Sequence, residues 1–517
     1  MQASPMSPKR IVLYSPLQVD PASGVLYAKD VTPLSLLTIA GGPVRDGYEV
    51  EIIDGALYTQ AEAHRRVLAA CDGALLYATT GILGYQVADG FLCSRMVKAR
   101  YPALPAFIGG WFASSAPELQ LETGLYEAVA LGQGELIFQD IVAAVACGEP
   151  LDEVPGLALW RDGGVVRTAQ RNATSWSNLP PTPWSIFDFE PYKAQQLAQR
   201  NERYVREDIF PPPGGRDYVS FAYYSSFGCP LQCTFCCSPG VSGLRWKAKA
   251  AEPMAEELCE LSERFGFDTI RYYDANYGVV EARVRGIAEG LIARGKRLWQ
   301  SGYCQSASIT GYARSTLELM AESGVYHILL GGETGSDETM KMIKKTTRGD
   351  ENIVAARALA DVGIQSYLTY VIGFPHEDEA SMWRTLEQVR AIHAEIPAAA
   401  PEIWPYRPIP GTPMYDEAVA LGYRPPRDLL GWGDIGEYRF HQTWEGCIPA
   451  SITRRKILMG HFVSVARRQR GAARDGIWQR RAKRRIQRDE WRWAGVEAKA
   501  FHLFSKLRRG VAALSGA

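Results

Sequence analysis

The chain has 517 residues, 46% of them hydrophobic, and a formal net charge of zero, so it is too long for one core and has an ordinary globular composition. No uninterrupted apolar run reaches the roughly 18 residues of a membrane span. Met1 to Arg10 lacks the charged, apolar and small-residue zones of a secretory leader, so a cytoplasmic protein is expected.

Ile11-Val12-Leu13-Tyr14 predicts a first strand, Pro33 to Ala40 a helix ending at Gly41-Gly42, and Tyr48 to Ile53 a second strand. A helix near Ala61 to Ala70 leads to a strand at Ala74 to Tyr77, and another helix to strands at Ala106 to Ile108 and Ala128 to Leu131. Short apolar strands alternating with helices imply a parallel sheet covered on both faces, so residues 1–150 are expected to be Rossmann-like. Over 151–217, Leu157 to Trp160 and Val165-Val166 flank Asp162-Gly163-Gly164 as in a hairpin. Leu179 to Pro183 and Pro211 to Gly215 then read as a linker.

A second alternation fills 218–425. Its strands are expected at Val219 to Tyr224, Thr269 to Tyr273, Leu298 to Gln305, His327 to Leu330, Ser366 to Ile372 and Glu402 to Tyr406. The fold class is therefore α/β, a Rossmann-like domain followed by a partial (β/α)6 barrel. Residues 426–517 are expected to form a helical, basic extension. From Ser451 onward about 18 Lys and Arg face about 4 acids, so the body is acidic by the same excess.

Six of the ten cysteines stand singly, whereas Cys229, Cys233, Cys236 and Cys237 crowd together. In a long chain of this compartment, clustering points to metal or catalysis rather than disulfides. Cys229-Pro-Leu-Gln-Cys233-Thr-Phe-Cys236 has the spacing Cys-x3-Cys-x2-Cys. Three thiolates on one tight loop can hold three irons of a cubane and leave the fourth open. Zinc and ferredoxin-type clusters usually take four ligands, and Cys237 is poorly placed to grip one small site beside Cys236. Zinc, or three buried structural cysteines, are the alternatives. The loop follows an expected strand, where α/β barrels keep their chemistry, and Gly228 permits close backbone approach.

Phe227-Gly228-Cys229-Pro230 through Phe235-Cys236 resembles the signature loop of radical S-adenosylmethionine (SAM) enzymes. Gly331 to Ser336, Val371 to Pro375 with Glu377, and Pro410 to Pro413 resemble that family's later strand-end segments, in its order. The resemblance implies a [4Fe–4S] cluster on Cys229, Cys233 and Cys236, which are thereby the catalytic and metal-binding cysteines. It implies SAM chelated to the open iron and cleaved to a 5′-deoxyadenosyl radical. It also implies SAM contacts at Phe235, Gly332, Glu333, Gly335, Ser336, Gly373 and Pro375.

The first strand runs into Ser15-Pro16-Leu17-Gln18-Val19-Asp20, without the G-x-G-x-x-G of a dinucleotide site. Glycines end the later strands instead, in Thr79-Thr80-Gly81, Gly109-Gly110-Trp111 and Gly132-Gln133-Gly134-Glu135, and ligands of open α/β sheets bind beyond such ends. With Pro33 to Leu36 and Asp46-Gly47-Tyr48, this domain order is similar to the cobalamin-binding radical SAM family, its methylase and anaerobic cyclase branches. The resemblance implies cobalamin contacts at Thr79, Gly81, Gly109, Gly110, Trp111, Gly132, Gln133, Gly134 and Glu135. Trp111 stands where the family often has histidine, and no D-x-H-x-x-G is present. No protein histidine is therefore expected below cobalt. The plainer reading is that these glycines only close turns.

In the family's methylases one SAM methylates cobalt and a second yields the radical that opens a C–H bond. The expected function is C-methylation of an unactivated carbon of a small-molecule, lipid- or tetrapyrrole-like intermediate. An oxidative cyclase or rearrangement enzyme is the alternative, and a noncatalytic Fe–S protein a further one. Asp274, Asn276, Tyr303, Gln305, Trp404 and Tyr406 lie at expected strand ends and are candidate substrate contacts, each with a capping or core reading beside it. A flavodoxin- or ferredoxin-type electron donor is expected. The tail carries Arg480-Arg481-Ala482-Lys483-Arg484-Arg485 with Trp478, Trp491 and Trp493 nearby. It admits peripheral membrane contact or a solvated charged helix, and nucleic acid is not expected.

Overall fold

A computed structural model describes residues 9–23, 32–198, 212–213, 218–435, 444, 447–467 and 476–502. The chain start, most of the proline-rich stretch 211–215 and the end of the basic tail lie outside the described residues. Two compact units are present, one of 1–303, 318–327 and 407–443, the other of 304–317, 328–406 and 444–517.

The first unit opens with β1 (Arg10–Ser15), β2 (Glu49–Asp54), β3 (Leu76–Thr80), β4 (Ala106–Gly109), β5 (Ala128–Ala130), β6 (Leu157–Arg161) and β7 (Gly164–Arg167). They form one sheet in the order β2-β1-β3-β4-β5-β6-β7. Strands β1 to β5 are parallel, and β6 and β7 are antiparallel. Alternation along β1 sends Ile11 and Leu13 into one apolar cluster and Val12 and Tyr14 into the other, so both faces are covered. The hairpin expected in the linker instead pairs with β5 and covers an edge that would otherwise expose unpaired backbone. The linker also packs: Trp184, Phe187 and Phe189 surround Phe221 and Phe265, with ring centroids 5.1–6.4 Å apart.

The same unit contains β8 (Ser220–Tyr223), β9 (Ser226–Gly228), β10 (Trp246–Ala248), β11 (Thr269–Tyr272) and β12 (Trp299–Cys304). Strand β11 lies between β8 and β12, parallel to both, while β9 and β10 form a separate antiparallel pair. The helix Leu429–Gly433 packs Trp432 against Phe112, with centroids 5.6 Å apart.

The second unit holds most of β13 (Val325–Glu333), then β14 (Gln365–Ile372) and β15 (Ala399–Pro405), with β14 in the middle and parallel to β15. It ends in the helices Ala450–Arg467 and Ile477–Arg488 and a helical stretch over 494–502. Among the described residues no helix is long and apolar enough to cross a membrane.

Candidate active site

Between β8 and the cysteines the backbone is tightly held. In the β9–β10 pair Gly228 lies opposite Trp246. Its φ is +80°, and a Cβ there would lie 2.1 Å from the Arg245 carbonyl oxygen, so only glycine fits. Beyond it Cys229 and Cys233 are buried and Cys236 half-buried. The Cys236 N–H donates to the Cys233 carbonyl at 3.3 Å, and the Ser238 N–H reaches the Cys236 Sγ at 3.4 Å. The hydrogen bond between the Cys237 and Cys236 side chains, together with burial, pushes the Cys237 thiol far above its usual range. Cys237, the residue after Cys236, is half-buried beside it. Among the described residues no three His, Cys, Asp or Glu side chains gather around a single-ion site. A cubane differs in that each thiolate takes its own iron, and three cysteines on one pinned loop fit that donor set.

Asp274, expected to face substrate, is turned onto this loop. Its carboxylate is 2% exposed and accepts from the Ser225 N–H at 2.7 Å, the Ser226 hydroxyl at 2.8 Å and the Ser225 hydroxyl. Burial raises its pKa, against the hydrogen bonds from Ser225 and the charge of Arg283. Arg283 donates to the Ser225 carbonyl at 3.0 Å and the Lys249 carbonyl at 2.8 Å, and lies over the Trp246 ring at 5.6 Å. Asn276 is buried, and its side-chain Oδ1 has no partner among the described residues. Tyr303 is half-buried, and its carbonyl accepts from the Tyr277 N–H at 2.8 Å.

Glycines close the strand ends of the first sheet, and one of them meets the segment that follows the cysteines. Gly110 has φ +96°, and a Cβ would lie 2.7 Å from the Thr80 Oγ1; Gly132 has φ +85°, and a Cβ would lie 2.9 Å from the Val241 carbonyl oxygen. Val241 sits in the short helix Ser238–Ser242 that follows the cysteines. A Cβ on Gly411 would lie 2.4 Å from the Ser115 carbonyl oxygen, so the turn at 410–411 lies against the end of the helix Trp111–Ser115. Gln133 accepts from the Thr174 N–H at 2.8 Å, while its Nε2 is buried without a partner among the described residues. Glu135 is buried, and burial raises its pKa. Thr79 and Trp111 also have partners within the first sheet's domain. The Thr79 hydroxyl donates to the Tyr14 carbonyl at 3.1 Å within the sheet, and Trp111 packs edge-on against Phe112. His64, the one histidine of residues 1–150, pairs through Nε2 with fully buried Asp89 at 2.8 Å, and Asp89 also accepts from Tyr14 at 2.6 Å and Gln60 at 2.7 Å.

In the second unit Glu333 has φ +53° and is buried in an ion pair with Lys345 at 2.7 Å. The Gly332 carbonyl accepts from Asn352 at 3.0 Å, and the Gly335 N–H donates to Thr385 at 3.0 Å. Ser336 caps the helix Asp337–Met342, and its hydroxyl also donates to Glu338 at 2.9 Å, so this side chain is spent on structure. Gly373 has φ +81° and donates its N–H to Glu377 at 2.7 Å; Phe374 donates to the same oxygen at 3.3 Å, and Pro375 is buried. Burial raises Glu377 to about 7 against those backbone donors. Gln305 is buried before the helix Ser306–Gly311; Trp404 is half-buried on β15; Tyr406 packs on Phe374 at 5.3 Å. Lys345, Asn352, Thr385 and Gln388 escaped the sequence reading. Ser381, Thr385 and Gln388 recur three and four residues apart on one helix, a polar stripe that could have signalled them.

Residues 223–389 match the family model of the radical SAM superfamily, so the chain carries a radical SAM domain. An uncharacterized methyltransferase of Pyrococcus horikoshii is 24% identical over 396 residues, 75% of this chain and 78% of that protein. The anaerobic magnesium-protoporphyrin IX monomethyl ester cyclase of Synechocystis sp. is 26% identical over 387 residues, 74% of this chain and 72% of that protein. In fold, the chain is similar to the radical SAM methyltransferase TsrM of Kitasatospora setae, a structure with cobalamin and a [4Fe–4S] cluster bound. The TM-score is 0.64 at 15% identity, covering 95% of this chain and all of that one.

Proposed function

We propose that this radical SAM enzyme methylates an unactivated carbon of a small-molecule intermediate, a lipid- or tetrapyrrole-like one included. It would use a [4Fe–4S] cluster on Cys229, Cys233 and Cys236, SAM and cobalamin. One observation supports the reading: Gly132, just beyond β5, lies against the Val241 carbonyl oxygen in the helix that follows the cysteine loop. The strand ends of an open α/β sheet are the kind of edge that takes ligands, and they are the proposed corrin site.

When bound, the cluster and SAM supply a 5′-deoxyadenosyl radical and cobalamin carries the methyl group. The chain supplies placement. Corrin contacts are proposed at the backbone of Gly81, Gly109, Gly110, Gly132 and Gly134, and the Gln133 Nε2 and the Glu135 carboxyl are buried polar groups able to meet its amides. With His64 held by Asp89, cobalt would have no histidine of this domain beneath it. SAM contacts are proposed at Phe235, Gly332, Glu333, Gly335, Gly373 and Pro375, and at the backbone of Ser336, whose hydroxyl is committed. Glu377 would hold the Gly373 turn. Substrate contacts are proposed at Asn276, Tyr303, Gln305, Trp404 and Tyr406. The reductant would be an external flavodoxin- or ferredoxin-type donor.

The relative named as a cyclase supports a second reading, oxidation without methyl transfer. The test is anaerobic turnover of reconstituted enzyme with methyl-deuterated SAM and candidate substrates from the genomic neighbourhood. Methylation predicts 5′-deoxyadenosine, S-adenosylhomocysteine and a deuterated product. Formation of 5′-deoxyadenosine with an unlabelled, oxidised product selects the cyclase reading.

A further inference from the structure

The second unit ends in two helices whose outer face has no role in the chemistry above. Arg481 Nε lies 2.8 Å and Arg485 Nε 2.6 Å from the two Glu497 oxygens, and the Trp478 and Phe501 rings are 5.4 Å apart. These contacts set residues 494–502 antiparallel beside the helix Ile477–Arg488. Inward, Ala482, Ile486, Ala494 and Phe501 are buried with Phe462 and Val465. Outward, Ile477, the adjacent pair Arg480 and Arg481, Arg484 and Arg488 recur at three- and four-residue intervals, so they share one exposed face.

That face is cationic and carries Ile477, and Trp493 and Val496 are exposed on the segment beside the helix. Over 476–502 eight Lys and Arg stand against three acids. Glu497 is covered by its two arginines, Asp489 by Arg390 at 3.4 Å and Arg455 at 3.2 Å, and Glu490 lies 3.8 Å from Arg484 and 4.0 Å from Arg488, so the arginines outnumber the acids they meet. Ile477, Trp493 and Val496 are 63%, 69% and 61% exposed. Trp493 has φ +62°, a backbone conformation that side chains other than glycine, asparagine and aspartate rarely adopt, and it carries the indole into solvent.

We propose that this face docks on an anionic lipid surface. The arginines would engage headgroup phosphates, and Ile477, Trp493 and Val496 would enter the boundary between headgroups and acyl chains. The charge is complementary to such a surface. The two exposed aliphatic side chains gain from hydrocarbon and gain little from a nucleic-acid backbone, which favours lipid. No described helix of this chain is able to span a bilayer, so the contact would be peripheral.

The full-length protein is sedimented with vesicles of phosphatidylcholine, alone or mixed with phosphatidylglycerol. The variants are the triple change Arg480→Gln, Arg484→Gln, Arg488→Gln and the triple change Ile477→Ser, Trp493→Ser, Val496→Ser. Wild-type protein is expected to pellet with the anionic vesicles alone. The arginine variant should bind on the order of 100-fold more weakly, since each cation near such a surface contributes about a factor of five. The apolar variant should bind at least about tenfold more weakly and be released by lower salt. Circular dichroism melts matching wild type establish that both variants fold; a variant that fails this is replaced by the single change Trp493→Ser, expected to weaken binding in the same direction. Equal sedimentation with both vesicle types overturns the proposal. So does an apolar variant that binds like wild type, or a protein that binds oligonucleotide and no vesicles.

Discussion

Replacing Asp274 by alanine should loosen the loop that carries the cysteines. The carboxylate accepts from the Ser225 N–H, the Ser225 hydroxyl and the Ser226 hydroxyl, and its charge offsets that of Arg283. Hydrogen bonds to a charged group contribute about 1.5–3 kcal/mol each, but ionising Asp274 in a buried site costs part of that sum. Leaving the buried donors of Ser225 and Ser226 without their acceptor typically costs about 1–3 kcal/mol each. We expect Asp274→Ala to lose about 3–4 kcal/mol of stability and to reconstitute with less iron. Asp274→Asn keeps an acceptor for the Ser225 N–H, and the two hydroxyls can rotate to meet its amide, so it should lose about half as much. The assay is anaerobic denaturant unfolding of the apoprotein, followed by iron and sulfide analysis after reconstitution. An alanine variant within about 1 kcal/mol of wild type, with full iron, refutes the assignment of Asp274 as the fastener of this loop.

Glu377 makes stability pH-dependent. Its folded pKa, about 7 against an ordinary value of 4.5, is raised, so its contribution is complete below about pH 4.5 and is lost as pH rises through about 7. Against Glu377→Gln, the wild type should lose about 3 kcal/mol across that window; parallel unfolding curves would count against it. Gly228→Ala must move the Arg245 carbonyl and adopt a left-handed backbone, costing more than about 2 kcal/mol, with iron content falling alongside. Gly132→Ala meets the Val241 carbonyl at 2.9 Å and should weaken cobalamin retention on gel filtration, while iron stays at the wild-type level.

Much of this arrangement is legible in the chain because it is local. The alternation of strands and helices is written in apolar runs and glycines, and the three cysteines sit within eight residues of sequence. What escapes is set by distant partners. Asp274 occupies the strand-end position that substrate contacts use, and nothing near it in sequence reveals two serines 48 and 49 residues earlier. Thr79 and Ser336 carry hydroxyls at ligand-facing motif positions, yet a neighbouring strand carbonyl and a helix end claim them first. The hairpin β6–β7 reads correctly as a hairpin, but the edge of β5 that it joins is a property of the whole sheet.

The most direct test is electron paramagnetic resonance of the reduced, anaerobically reconstituted protein, with and without SAM. The account predicts a [4Fe–4S] signal that shifts on adding SAM, survives Cys237→Ala unchanged, and vanishes when Cys229, Cys233 and Cys236 are replaced by alanine. A signal indifferent to SAM, or one that Cys237→Ala abolishes, would mean four cysteine ligands and no open iron, contradicting the account.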